Sequence, residues 1–178
     1  MLKKIKQGFK LATWILVPIA IVVNGAGGWI IAKLDLPIYL DTIGTIFVGI
    51  AAGPFAGALT GVLTNVLLGL VSPGYIPYWP VPLLIGLTAG LFANAGWFQR
   101  WWKVVIVGLV IAEIAAITST LVAARVFGEV TLIPSYFLIE EPLDKIAASL
   151  IAFGIGRFLP ERILALLPHP ENINSLSK

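Results

Sequence analysis

Hydrophobic residues in this chain fall into long blocks that are separated by short polar or proline-rich breaks. Prolines mark two of the breaks, because proline disfavours helix at the preceding residue and suits the first helical position. Gly53-Pro54 divides one long apolar stretch, and the segment 72–80 contains three prolines in nine residues. The blocks predict six helical spans: residues 9–32, 39–53, 55–71, 81–97, 104–127 and 143–159.

Composition places these spans in a lipid bilayer. The 178 residues are 58% hydrophobic and 12% charged, whereas a soluble domain carries roughly 25% charged residues. Such a chain cannot cover a water-facing surface, and its length has room for about five to seven spans of roughly 20 residues. We therefore predict an all-α membrane protein, a single bundle of six transmembrane helices over residues 1–168, with a polar C-terminal tail at 169–178.

Basic residues set the orientation of the predicted bundle. Lys and Arg concentrate in cytoplasmic loops of membrane proteins. With the N-terminus inside and six spans, three basic clusters share the inner side: Lys3, Lys4, Lys6 and Lys10; Arg100 and Lys103; Arg157 and Arg162. A five-span chain would place the last cluster outside. The predicted topology is therefore N-in/C-in, and Lys33, Arg125 and Lys145 remain as outer exceptions.

The residues that the chain lacks exclude several kinds of chemistry. There is no cysteine, and the single histidine, His169, lies in the predicted tail, so neither thiol chemistry nor a histidine-based metal site is expected. No Walker-type glycine loop and no Ser-His pair occurs, so we expect no nucleotide hydrolysis by this chain, no cofactor and no enzyme activity. Topology rather than nucleic-acid binding explains the basic excess.

Polar and aromatic residues in or beside the spans are the candidates for a substrate site. Glu113 lies near the middle of the fifth span, where an ionisable group is costly and usually functional. It contacts a ligand, is a protonated and hydrogen-bonded structural group, or pairs with a nearby amide. Ser119 follows it on the same span. Three aromatic residues of the proline-rich loop either anchor the chain at the interface or stack on a ligand: Tyr75, Tyr78 and Trp79.

Two further pairs of candidates lie where spans begin. Asp41-Thr42 opens the second span and Asp144-Lys145 opens the sixth. Each aspartate either caps its helix or contacts a ligand. Lys145 gains nothing from the dipole at that end of a helix, which favours a neighbouring carboxylate or a ligand anion as its partner. We expect it to pair with a ligand anion.

Small residues recur at every fourth position of the third span, at Gly53, Gly57, Gly61 and, after Asn65, at Gly69. This spacing keeps them on one helix face, where they let another helix approach closely. The face serves either packing within the chain or a partner protein, and Gly53, Gly57 and Gly61 are the candidate partner interface.

The stretch 40–61, LDTIGTIFVGIAAGPFAGALTG, resembles the second and third helices of the substrate-binding S components of energy-coupling factor (ECF) transporters. That family shows a short helix that ends in Gly-Pro and then a glycine-rich helix. The segment PLDKI at 142–146 is similar to the start of the family's sixth helix. The alanine-x-x-x-alanine pattern that many S components carry early in helix one is missing, since residues 11–18 read LATWILVP.

The resemblance implies a vitamin-binding component of an ABC importer in the plasma membrane of a prokaryote. It implies an outward-facing pocket for a water-soluble vitamin or related micronutrient, with a lid at residues 33–40. It also implies partners, namely a transmembrane T component and two ATPase subunits that hydrolyse ATP. The alternative function is a non-transporting membrane scaffold of an envelope assembly, which would use the glycine face for partners and need no pocket.

Overall fold

The computed structural model of the protein describes residues 11–128 and 139–174. Over these ranges all regular secondary structure is helical, and there is no strand. The proline and glycine breaks of the sequence end one helix and begin the next. Each predicted span corresponds to a main helix whose ends lie within about one turn of the prediction. The six main helices are α1 (Leu11–Lys33), α2 (Ile43–Ala52), α3 (Pro54–Gly69), α4 (Pro80–Asn94), α5 (Trp101–Phe127) and α6 (Glu141–Phe158).

Helix α2 forms the centre of the bundle. Every one of its 10 residues is buried, and it packs against α1, α3, α4 and α6. At 1.5 Å per residue it is only about 15 Å long, roughly half the hydrocarbon thickness of a bilayer. A helix enclosed by its neighbours on all sides has no need to match that thickness.

One buried amide joins the first three helices. The side chain of Asn24 donates hydrogen bonds to the hydroxyl oxygens of Thr45 (2.9 Å) and Thr64 (3.0 Å). Its oxygen accepts a hydrogen bond of 2.7 Å from the backbone N–H of Gly44, in the first turn of α2. Because the first N–H groups of a helix have no partner within it, Asn24 fixes the start of α2 between α1 and α3.

The glycine face of α3 is used inside the chain. A Cβ atom on Gly57 would lie 2.7 Å from the Cα of Gly49 on α2 and 2.8 Å from the carbonyl oxygen of Gly86 on α4. A Cβ atom on Gly61 would meet the backbone of Pro82, and Gly53 adopts φ +92° between α2 and α3. Gly57 and Gly61 are therefore occupied by packing within the chain, and Gly53 forms the turn between α2 and α3. Of the two predicted alternatives for this face, internal packing rather than a partner interface describes what the structure shows.

The segment after α6 folds back against the bundle. It contains two short helices, α7 (Glu161–Leu164) and α8 (Glu171–Asn174). The backbone N–H of His169 donates to the carbonyl of Ala51 (2.9 Å), and the Asn172 amide donates to the carbonyl of Ile50 (3.0 Å). Residues 169–173 thus close the C-terminal end of α2 and pack with the bundle rather than forming a separate tail, while residues 175–178 lie outside the described ranges.

Two of the main helices, α1 and α5, are long and apolar enough to cross a bilayer. Helices α2, α3 and α4 are apolar but shorter, and α6 carries charged residues at both ends. The outward face of α1 is apolar, with Val22 70% and Trp14 56% exposed. A helix in the core of a soluble protein would bury such side chains.

Candidate functional site

A cavity of about 560 Å³ lies at one end of the bundle. The loop before α2, the loop before α4 and the first turn of α6 meet there with the later turns of α5. Sixteen residues line the cavity: Tyr39, Asp41, Thr42, Asn65, Ser72, Gly74, Tyr75, Tyr78, Val81, Pro82, Ile85, Ser119, Thr120, Ala123, Glu141 and Lys145. The volume is typical of sites that hold a small organic molecule.

Most of the predicted site residues come together in this cavity. Six of the nine line it: Asp41, Thr42, Tyr75, Tyr78, Ser119 and Lys145. Asp144 is fully buried behind Lys145 and is not part of the wall. Trp79 lies just before α4, is 46% exposed and does not line the cavity. Glu113 is exposed on the outer face of α5 and is not brought to the site.

Lys145 is paired within the protein. Its ammonium group contacts the Oδ2 atom of Asp144 and lies 3.5 Å from the Oε2 atom of Glu141, one turn earlier on α6. All three side chains are almost completely buried. A buried ammonium requires a close carboxylate to offset its desolvation, and here two supply it. The structure thus shows neighbouring carboxylates as partners of Lys145, one of the two kinds of partner that the sequence allowed.

Asp144 also holds the loop that precedes α2. Its Oδ1 atom accepts hydrogen bonds from the backbone N–H groups of Tyr39 (3.0 Å) and Leu40 (2.6 Å). Leu40 has φ +47°, a conformation that is uncommon and costly for a residue with a branched side chain. The two hydrogen bonds stabilise this turn. Asp144 is therefore a positioning residue that ties the loop to α6, rather than a helix cap or a ligand contact.

The carboxyl group of Asp41 lies just before the N-terminus of α2, near three charged side chains of α6, those of Glu141, Asp144 and Lys145. Burial raises its pKa above the ordinary value for an aspartate, the Lys145 ammonium lowers it, and the Asp144 and Glu141 carboxylates raise it again. Burial also raises the pKa of the phenols of Tyr39 and Tyr75, with a smaller contribution from nearby carboxylates. Both tyrosines therefore stay neutral at physiological pH and can offer a hydroxyl group and an aromatic face.

Two further polar residues line the cavity, Thr42 just before α2 and Asn65 on α3. The hydroxyl of Thr42 is buried, with the residue 4% exposed, and has no hydrogen-bond partner among the described residues. The Asn65 amide donates a hydrogen bond of 3.2 Å to the carbonyl of Tyr75, which fixes the 3-10 helix Pro73–Tyr78 over α3. A buried hydroxyl without a partner is costly, so Thr42 is an unsatisfied polar group in a residue that lines the cavity.

Comparison with family models, with curated proteins and with solved structures finds no significant match to this chain.

The floor of the cavity is apolar and is formed by α4. Val81, Pro82 and Ile85 line it within one and a half turns of the helix start, and Ile85 is completely buried. The charged residues lie on α6 and at the start of α2. The cavity thus has a charged side and an apolar side, which suits a ligand with a polar group and a flat or apolar body.

The sequence prediction missed several residues that line the cavity, and only some of them gave a signal in the sequence. Glu141 lies four positions before Lys145, and oppositely charged residues at this spacing pair on a helix. Asn65 interrupts a row of glycines with a larger polar side chain. Tyr39 gave no pattern, because its place follows from the turn at Leu40 and from the contact of that turn with Asp144, about 100 residues later.

Proposed function

We propose that this chain is the substrate-capture (S) component of an ECF-type ABC importer, and that it binds a water-soluble vitamin or related micronutrient in the cavity. The single observation that carries the proposal is this cavity of about 560 Å³, which is lined by tyrosines, hydroxyls and charged residues and lies at one end of an apolar helical bundle. A bundle with no transported or captured ligand would gain stability by filling such a space with side chains.

In the proposed arrangement the six main helices cross the membrane with both termini in the cytoplasm. Arg100, Lys103, Arg157 and Arg162 lie at the end of the bundle away from the cavity, as the positive-inside rule requires of a cytoplasmic side. The cavity then faces outward, where an importer would meet its substrate. The apolar exterior of α1 would face lipid or a membrane partner, and the bundle would encircle α2.

The loop between α1 and α2 supports a capture role. Tyr39 and Asp41 line the cavity from this loop, and Tyr39 is held there through its backbone bond to Asp144. Much of the preceding loop, from Leu34 to Pro37, is exposed. The same loop thus supplies two wall residues and an exposed segment, and this combination supports the lid that the resemblance implies.

The alternative, a membrane scaffold, depended on the glycine face of α3 as its partner surface. That face is filled by α2 and α4, and a scaffold gives no reason for the cavity. The transmembrane T component and the two ATPase subunits of the proposed importer would dock on another surface. ATP would be hydrolysed by those subunits and not by this chain.

Ligand retention tests the proposal. The protein is purified in mild detergent from its native host or a related prokaryote, and small molecules extracted from it are identified by mass spectrometry. We expect one abundant small molecule, together with ATPase subunits in the same preparation. Ala123→Trp, on the cavity wall, should abolish retention, whereas Leu121→Trp on the exposed face of α5 should not. Equal retention by both variants, or no bound molecule and no ATPase in the wild-type preparation, would contradict the proposal.

A further inference from the structure

The charges around the cavity are unbalanced toward negative. Three carboxylates, those of Asp41, Glu141 and Asp144, surround one ammonium, that of Lys145. No other cationic side chain lines the cavity among the described residues. Even with Asp41 protonated, two carboxylates remain against one ammonium. An anionic ligand would therefore meet net repulsion, whereas a cation would relieve the excess charge.

Three tyrosines line the cavity, and two of them, Tyr39 and Tyr75, lie near the carboxylates. Tyr39, Tyr75 and Tyr78 line the wall, and the carboxylate of Asp41 is close enough to Tyr75 to affect its phenol. Aromatic faces attract organic cations, and the attraction grows where water is excluded. Tyrosines beside carboxylates that outnumber the nearby cation are a combination that recognises ammonium, pyridinium and related groups.

A third observation does not depend on charge. The Thr42 hydroxyl is buried without a partner among the described residues and lines the cavity next to Asp41. It can accept a hydrogen bond from an N–H group or donate one to a ligand oxygen. An acidic cluster alone could be a structural network, but a buried hydroxyl left open at the same place indicates that a ligand completes the wall.

We propose that the ligand is a small organic cation. Its charged nitrogen would lie between Asp41, Glu141 and the tyrosines, and its apolar or aromatic body would lie over Val81, Pro82 and Ile85. This inference rests on the proposed function, since it names the substrate class of the same cavity. Lys145 then serves to hold Glu141 and Asp144 in place, not to attract the ligand.

The test uses three water-soluble compounds that share a benzyl group and differ in charge: benzyltrimethylammonium, benzyl alcohol and phenylacetate. Binding to the purified wild-type protein is measured by tryptophan fluorescence and by isothermal titration calorimetry. We expect the cation to bind at least tenfold more tightly than phenylacetate. Asp41→Asn should weaken cation binding at least tenfold and leave benzyl alcohol unaffected. Asp35→Asn, on the exposed part of the same loop, is the matched control, because asparagine tolerates the φ of +52° found there.

The outcomes separate the two proposals. If phenylacetate binds as tightly as the cation, or if Asp41→Asn leaves cation affinity unchanged, the cavity remains a ligand site and the charge assignment is overturned. If none of the three compounds binds and no small molecule is extracted from the purified protein, the proposed function fails as well. The comparison of the three compounds on the wild-type protein needs no variant, so a variant that fails to fold does not block the test.

Discussion

Replacing Asp144 by asparagine removes the negative charge that faces Lys145 and keeps the size of the side chain. The amide oxygen can still accept the hydrogen bonds from the Tyr39 and Leu40 backbones, whereas the amide nitrogen would point its N–H groups at the ammonium. Breaking a buried ion pair by neutralising one partner costs about 3–5 kcal/mol. Because Glu141 lies 3.5 Å from the ammonium and still offsets part of its charge, we expect the lower end, about 3 kcal/mol.

Two further variants divide this cost into its parts. Asp144→Ala also leaves the Tyr39 and Leu40 N–H groups without their acceptor, which should add roughly 1 kcal/mol for each of these partly buried donors. The double variant D144N/K145M removes both charges of the pair and should recover part of the loss, since it leaves no ammonium to be compensated. Glu161→Gln, an exposed carboxylate on α7, is the control for charge loss by itself.

The assay is equilibrium unfolding in mixed micelles of dodecyl maltoside and SDS, followed by tryptophan fluorescence. The order of stability should be wild type and Glu161→Gln first, then the double variant, then Asp144→Asn, with Asp144→Ala last. A free energy of unfolding for Asp144→Asn within about 0.5 kcal/mol of wild type, the range of ordinary surface substitutions, would refute the contribution of the ion pair with Lys145. Equal stabilities of Asp144→Asn and Asp144→Ala would refute the role of Asp144 as the tie between the loop and α6.

Three other predictions concern packing, hydrogen bonding and pH. Asn24→Leu should lower the free energy of unfolding by about 3 kcal/mol, because three buried hydrogen bonds are lost at about 1 kcal/mol each; a loss below 1 kcal/mol in the same micelle assay would contradict this. Gly57→Ala should cost about 1–3 kcal/mol through overpacking against Gly49, whereas Gly154→Ala, with no neighbouring atom within 4 Å, should be neutral or slightly stabilising; equal effects would refute the packing argument. Because the folded-state pKa of Asp41 is raised, its stabilising contribution is present below the ordinary pKa and is lost as pH rises through the folded value. Relative to wild type, the melting temperature of ligand-free Asp41→Asn should therefore increase as the pH rises above about 4, the ordinary pKa of an aspartate. A difference that stays constant with pH would count against this.

The number and order of the main helices were predictable from the sequence, because each helix corresponds to an apolar block that ends at a polar or proline-rich break. The break at Gly53-Pro54 was also predictable, because proline cannot continue the preceding helix. The candidate site was predictable in part. Residues at helix starts, such as Asp41 and Lys145, are few in so apolar a chain, and their position at one end of the bundle follows from the topology.

The partners of those residues could not be predicted, because they depend on contacts between distant segments. The bond from Asp144 to the loop spans more than 100 residues. Glu113 shows a different difficulty. The sequence predicted its position along the helix but not the face of the helix on which it lies. In the structure it is exposed, on the outer face of α5. The polar composition of residues 169–174 likewise concealed that they pack against α2.

That last contact has a consequence for synthesis of the protein. The carbonyls of Ile50 and Ala51 receive their hydrogen bonds from Asn172 and His169, the first of these across 122 residues of sequence. At the usual speed of translation, 5–20 residues per second, those residues emerge on the order of ten seconds later. Until then the end of α2 must stay hydrated or find temporary partners, because an unpaired carbonyl is costly when it is buried away from water. Helix α2 is therefore synthesised early, but the hydrogen bonds at its C-terminal end form only after His169 and Asn172 have been made.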